Sequence, residues 1–235
     1  MLEELKEEVL KANLFLPKFN LVTLTWGNVS AINRELGLIV IKPSGVKYET
    51  MQINDLVVVD MDGNVVEGSY NPSSDTPTHL ILYKNFKNIG SIIHTHSVWA
   101  TSWAQAIRDL PALGTTHADN FHGDIPCTRS LTLEEISSDY ETETGKVIVE
   151  TFIKRKIDPD EISGCLVYAH GPFVWGATPM KALENAIVLE ESAKIAFNTV
   201  CLNSKVSSLD KTLLDKHFYR KHGTNAYYGQ SCNFK

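Results

Sequence analysis

An apolar run at residues 89–94 ends directly on the tripeptide His94-Thr95-His96. A run this short suits a buried strand, and in extended backbone residues two apart point to the same side, so both imidazoles are delivered to one place. The arrangement recurs downstream: a strand expected over 164–169 ends at His170 and turns through Gly171-Pro172 before a further strand at 173–175. A chain that twice hands out histidine at the end of an apolar strand must build a sheet with a polar site along its strand termini.

The remaining pattern supplies the layers around that sheet. Leu2, Leu5, Val9, Ala12 and Leu16 form a helical stripe between charged positions. Residues 38–42 and 56–60 are β-branched runs, and Asp62-Gly63 before Val65-Val66 gives a hairpin turn. The segment 71–77 is dense in turn formers and feeds a helix expected to run through about Phe86. Further helices are expected over 98–106, from Pro179 to about Cys201, and over 210–219, the long one with Leu183, Ala186, Ile187, Ala193, Phe197 and Val200 on one face. Strands and helices mix without strict alternation, and no glycine-rich dinucleotide fingerprint follows a strand. The expectation is one three-layer α/β/α domain over residues 1–235 around a largely antiparallel sheet, with 231–235 as a short tail.

The chain has 235 residues, 43% of them hydrophobic, and a net charge of -6. It lacks the dense Lys/Arg patches that hold nucleic acid or anionic membranes, so neither is an expected partner. No apolar stretch approaches the roughly 20 residues that span a bilayer, and residues 1–17 do not resemble a secretory signal. Cys127, Cys165, Cys201 and Cys232 show no paired spacing; they read as reduced, mostly core thiols of a cytoplasmic protein, with Cys232 exposed in the tail.

Three neutral imidazoles from His94, His96 and His170 would bind a divalent first-row metal and leave positions open for a substrate oxygen. Asp75, in the loop entering a helix, is the candidate carboxylate beside them. A lone histidine at a strand end is more often a packed or hydrogen-bonded residue, and His79, His117, His122, His217 and His222 compete as ligands, although their flanks are helical or loop-like. Trp26-Gly27-Asn28, Lys42-Pro43-Ser44-Gly45 and Ser73-Ser74 offer N–H and O–H donors for a dianionic phosphate, and a helix starting after Ser74 adds a favourable dipole. Such residues are also everyday turn formers.

Several motifs are more specific. Leu21-Val22-Thr23-Leu24-Thr25-Trp26-Gly27-Asn28-Val29-Ser30, Ile41-Lys42-Pro43-Ser44-Gly45, Pro72-Ser73-Ser74-Asp75-Thr76, His94-Thr95-His96, Gly114-Thr115-Thr116-His117-Ala118-Asp119 and Tyr227-Tyr228-Gly229-Gln230 stand in this order. Together they closely resemble the L-ribulose-5-phosphate 4-epimerases of the class II aldolase superfamily. The resemblance runs from about residue 1 to 230.

It implies a divalent metal, usually zinc and one per subunit, on His94, His96 and His170 with Asp75 at the acidic ligand position. It places a sugar-phosphate substrate near Gly27, Asn28, Ser44, Gly45, Ser73 and Ser74. For the carbon–carbon cleavage such an enzyme performs, Asn28 and Lys42 are the candidate donors to the reacting oxygens. Asp119 and Tyr228 match the acid–base pair, in a homotetramer whose sites lie at subunit contacts. Related aldolases carry glutamate where Asp75 stands, which favours the epimerase. The rival readings are a sugar-phosphate aldolase on the same scaffold and a binding module without metal. The pathway that supplies the substrate is not legible in the residues.

Overall fold

The computed structural model describes residues 2–224 together with 226 and 227. Its centre is a seven-stranded sheet built from β1 (Asn28–Asn33), β2 (Leu38–Ile41), β3 (Val57–Asp60), β4 (Val65–Glu67), β5 (Ser91–His94), β6 (Gly164–Val167) and β7 (Gly171–Gly176). The order across the sheet is β4-β3-β2-β1-β5-β7-β6, and every neighbouring pair is antiparallel. Strands β1, β5 and β7 hold the middle, and both faces of each are buried.

Two helical layers cover the sheet, as an α/β/α sandwich requires. On one face lie α1 (Glu3–Phe15), α3 (Val98–Gln105) and α7 (Pro179–Leu202); α1 and α3 each pack on α7, and the three cover strands β1, β5 and β7. On the other, α2 (Thr76–Asn85) packs along α6 (Tyr140–Arg155), and Phe86, Phe152 and Trp175 meet at ring separations of 5.3 Å. The short helices α4 (Thr115–Ala118) and α5 (Leu133–Ser137) and the later α8 (Lys211–His222) sit around this frame, α4 packed on α8. The buried Glu190 of α7 accepts from the backbone N–H groups of Trp99 and Ala100, which ties the start of α3 to the long helix.

Two elements carry weak sequence signals. Strand β1 alternates Asn28 and Ser30 with apolar residues yet is buried on both faces, because Ser30 bonds to His79 Nδ1 at 2.7 Å and to the Tyr83 hydroxyl at 2.8 Å beneath α2. In α6 the run Val147-Ile148-Val149 resembles strand, and Gly145 interrupts a helical stripe. That glycine is where the two helices touch: a Cβ there would stand 2.7 Å from Ile81 Cβ and 3.1 Å from Thr78 O.

One expectation changes. His170 does not close a strand ahead of a Gly171-Pro172 turn; residues 168–170 are themselves the turn, with Ala169 at φ 54, and Gly171-Pro172 already belong to β7. The long helix ends as expected, but Phe197 on its stripe is 46% exposed. Cys127 and Cys165 are buried and Cys201 is exposed, while Cys232 and Tyr228 lie outside the described residues. No helix among the described residues is long and apolar enough to cross a membrane.

Candidate metal centre

The registers of β1, β5 and β7 bring the site together. Asn28 pairs with His94, and His94 pairs with Phe173, so the N-terminal end of β1, the C-terminal end of β5 and the turn before β7 share one edge of the sheet. The close approach depends on glycine. Gly27 adopts φ +76, and a Cβ on it would fall 2.7 Å from His94 O; a Cβ on Gly171 would fall 2.5 Å from Thr95 O.

His94, His96 and His170 converge there, with one ring nitrogen from each lying within 4.8 Å of the others. His94 Nε2 and His96 Nε2 are 3.1 Å apart. Two nitrogens bound to one tetrahedral zinc at about 2.0–2.1 Å would stand about 3.3 Å apart, so this pair already stands at nearly ligand spacing. The Nδ1–H of His94 donates to Pro172 O at 3.0 Å, which leaves Nε2 as the lone pair facing the cluster. His170 Nδ1 lies 3.3 Å from the Tyr140 hydroxyl. Burial pushes the imidazoles of His94 and His170 down to about 3, helped by their histidine neighbours, and lowers that of His96. All three are therefore neutral near pH 7, the form that ligates a cation, and the donor set fits a divalent metal.

These histidines line a cavity of about 420 Å³ together with Gly27, Asn28, Lys42, Ser44, Gly45, Ser73, Ser74 and Asp75. Every expected metal and substrate position among the described residues thus faces one space. Their roles differ in detail from expectation. Asp75 is outside the group of mutually close donors, and its carboxylate accepts from Asn28 Nδ2 at 2.7 Å. The second amide hydrogen of Asn28 goes to Ser73 Oγ at 2.9 Å, so the group left over is the buried Oδ1, an acceptor and not the expected donor. The backbone N–H groups of Ser44 and Ser73, expected to face an anion, donate to Asn71 O and Lys42 O and hold the two loops together.

Lys42 supplies positive charge. It is 2% exposed, donates to Thr25 O and Pro43 O at 3.3 Å each, and lies 4.9 Å from the centre of the Tyr48 ring. Burial lowers its ammonium to about 8. Tyr140 and Glu141 also line the cavity, brought there by the start of α6, where Thr78 Oγ1 donates to Glu141 O at 2.6 Å. The signal for these two was Asp139 followed by an acidic first turn, the pattern of a helix N-terminus.

Asp119 does not join them. It ends α4, where Arg220 grips its carboxylate at 3.0 and 2.7 Å and His217 Nδ1 lies 2.9 Å away. His222 donates to Asp119 O at 2.9 Å and lines a cavity with Ile89 and Gly176, at the ends of β5 and β7 remote from the histidines.

An antiparallel α/β/α sandwich with histidines gathered on one sheet edge defines a metal-site scaffold, and the comparison with known families agrees: residues 7–197 match the Class II Aldolase and Adducin N-terminal domain, and the chain belongs to that family. Among curated relatives, it is 57% identical to the L-ribulose-5-phosphate 4-epimerase UlaF of Salmonella paratyphi C over 229 residues, which is 97% of this chain and 100% of the relative. The same identity and coverage hold for UlaF of Salmonella typhi. Among solved structures, an L-fuculose 1-phosphate aldolase superposes with TM-score 0.77 at 28% identity, covering 91% of this chain and 94% of that one.

Proposed function

We propose that this chain is an L-ribulose-5-phosphate 4-epimerase, interconverting L-ribulose 5-phosphate and D-xylulose 5-phosphate by cleaving and remaking the C3–C4 bond. The observation that carries this reading is the convergence of three neutral imidazoles on a cavity shared with a buried lysine and two serine-rich loops. The near full-length identity to an epimerase supports it.

The C4 hydrogen of a ketopentose phosphate is not acidic, so C4 cannot be inverted by simple deprotonation. Removing the proton of the C4 hydroxyl and breaking C3–C4 gives an enediolate of dihydroxyacetone and glycolaldehyde phosphate. Rotation of the aldehyde presents its other face, and re-addition inverts C4. A divalent cation, zinc foremost and one per subunit, would be held by His94, His96 and His170 and would supply Lewis-acid stabilisation of the developing negative charge, worth several kcal/mol. Lys42 adds a fixed positive charge to the same space. Asn28 clamps Asp75 beside the histidines and offers Oδ1 to a substrate hydroxyl. The phosphate lies against Gly27, Ser44, Gly45, Ser73 and Ser74, where hydroxyls and the start of α2 meet it.

Inverting a face requires proton transfer from two sides, and Asp119 with Tyr228 meets that need. Asp119 lies at the opposite end of the sheet from its own histidines, which supports a homotetramer whose sites are completed by a neighbouring subunit. The chemistry suits a cytoplasmic enzyme with no nucleic-acid or membrane partner. The test is product identity: incubation with L-ribulose 5-phosphate yields D-xylulose 5-phosphate, whereas free dihydroxyacetone as the dominant product would make the enzyme an aldolase.

A further inference from the structure

His94 and His170 are held by different means. His94 sits on the central strand β5, with Pro172 O behind its Nδ1 and the Phe173 ring stacked on its face. His170 stands in the short turn before β7, where its own backbone N–H closes the turn onto Val167 O. Its ring meets those of His94, His96 and Phe173 at 74°, 79° and 85°, so none of them stacks on it. A ligating imidazole needs a partner on its other nitrogen to fix tautomer and orientation.

Tyr140 occupies that position. Its hydroxyl stands 3.3 Å from His170 Nδ1, and no other group among the described residues bonds that nitrogen. The tyrosine is itself firmly placed. It opens α6 behind the Asp139 cap, its carbonyl accepts from Thr144 Oγ1 at 2.8 Å, and the carbonyl of the next residue accepts from Thr78 Oγ1 of α2. The α2–α6 contact at Gly145 holds the helix against its neighbour. Tyr140 lines the histidine cavity, yet no step of the epimerisation uses it.

We propose that Tyr140 is the positioning residue of His170: its hydroxyl oxygen accepts the Nδ1–H and leaves Nε2, with its lone pair, for the cation. A neutral imidazole carries one ring hydrogen. Were the hydroxyl to donate to Nδ1 instead, that hydrogen would lie on Nε2 and block it as a ligand. The bond thus selects the ligating tautomer and ties α6 to the metal centre. This role rests on the reading of the chain as a metal-dependent epimerase, although it concerns how the metal is held and not which product forms.

The test adds cobalt(II) alone to the full-length metal-free protein and to Tyr140→Phe, which keeps the half-buried ring and loses one oxygen atom. Isothermal titration gives the affinity, and the cobalt-shifted proton spectrum shows the ring N–H of each bound histidine, with His170→Asn assigning its signal by loss. The unmodified protein should show slowly exchanging N–H signals from His94 and His170. Tyr140→Phe should bind cobalt about 10–100-fold more weakly and lose the slow exchange of the His170 signal, while that of His94 persists. A tyrosine that merely packs would change the melting temperature of the stripped protein and neither of these readouts. Equal affinity in Tyr140→Phe, or a His170 signal still protected there, would overturn the proposal and leave the epimerase reading standing. Failure of the unmodified protein to bind cobalt would overturn both.

Discussion

The Nδ1–H of His94 donates to the carbonyl oxygen of Pro172, and this bond across neighbouring strands determines which nitrogen of His94 faces the other histidines. Phe173 completes the support, its ring stacked on His94 at 4.2 Å and 16°. Replacing Phe173 with Leu should leave the chain folded at a cost of about 1–1.5 kcal/mol but loosen the ring. Metal affinity should fall about 10–100-fold, as for other losses of support behind a ligating histidine. Isothermal titration with zinc beside a thermal melt measures both; unchanged affinity would show that the stack does not orient His94.

Gly27 and Gly171 let the histidine-bearing segment sit against its neighbours. Alanine at Gly27 meets both a positive φ and a 2.7 Å approach to His94 O, whereas alanine at Gly171 meets only the 2.5 Å approach to Thr95 O. Each substitution should cost about 1–3 kcal/mol and lower activity by displacing the ligands. Melting temperature and kcat together check this, since a purely local effect on stability would leave kcat intact.

Lys42 predicts a pH dependence with a definite sign. Its ammonium falls from 10.5 to about 8 on folding, so between those values the unfolded chain binds the extra proton and stability rises with pH. The cost of burying the charge is present in full below about pH 8 and is relieved as pH climbs through this window. A bound anion favours the charged form and takes up a proton there. Inhibition by inorganic phosphate should therefore weaken above pH 8, by up to about tenfold per unit. Lys42→Met should flatten that slope, and an unchanged slope would assign the titration to another group.

Asp119 is held by Arg220 and His217 away from the histidines of its own chain, so the acid–base role proposed for it requires a site in a neighbouring subunit. Asp119→Asn and His96→Asn proteins should each be inactive alone. Mixed in equal amounts with subunit exchange, they should recover about a quarter of the sites, those combining an intact histidine cluster with an intact aspartate. No recovery would mean that each chain completes its own site. The same logic applies to Tyr228→Phe.

The histidines were legible because period-two spacing at the end of an apolar run acts locally, and the backbone alone places both rings on one side. The setting of His170 is not legible in the sequence, since Gly171-Pro172 reads as a turn until pairing with β6 draws both residues into a strand. Strand β1 is hidden because Asn28 finds its partners in the loop before α2, and Ser30 in α2 itself, far along the chain. Tyr140 and Glu141 were missed for a related reason: Gly145 looks unfavourable in a helix until Ile81 is packed on it. That both amide hydrogens of Asn28 are engaged, one by Asp75 and one by Ser73, depends on how the loop of Ser73 folds and cannot be read from spacing.

If His94, His96 and His170 hold the cation that lets the carbon–carbon bond break, its removal stops the reaction. Metal content and L-ribulose 5-phosphate epimerisation, measured on the same sample before chelation, after it and after zinc is restored, test this most directly. The prediction is one ion per subunit, a loss of at least about a thousandfold on removal and recovery on return. Undiminished interconversion by the stripped protein would contradict it.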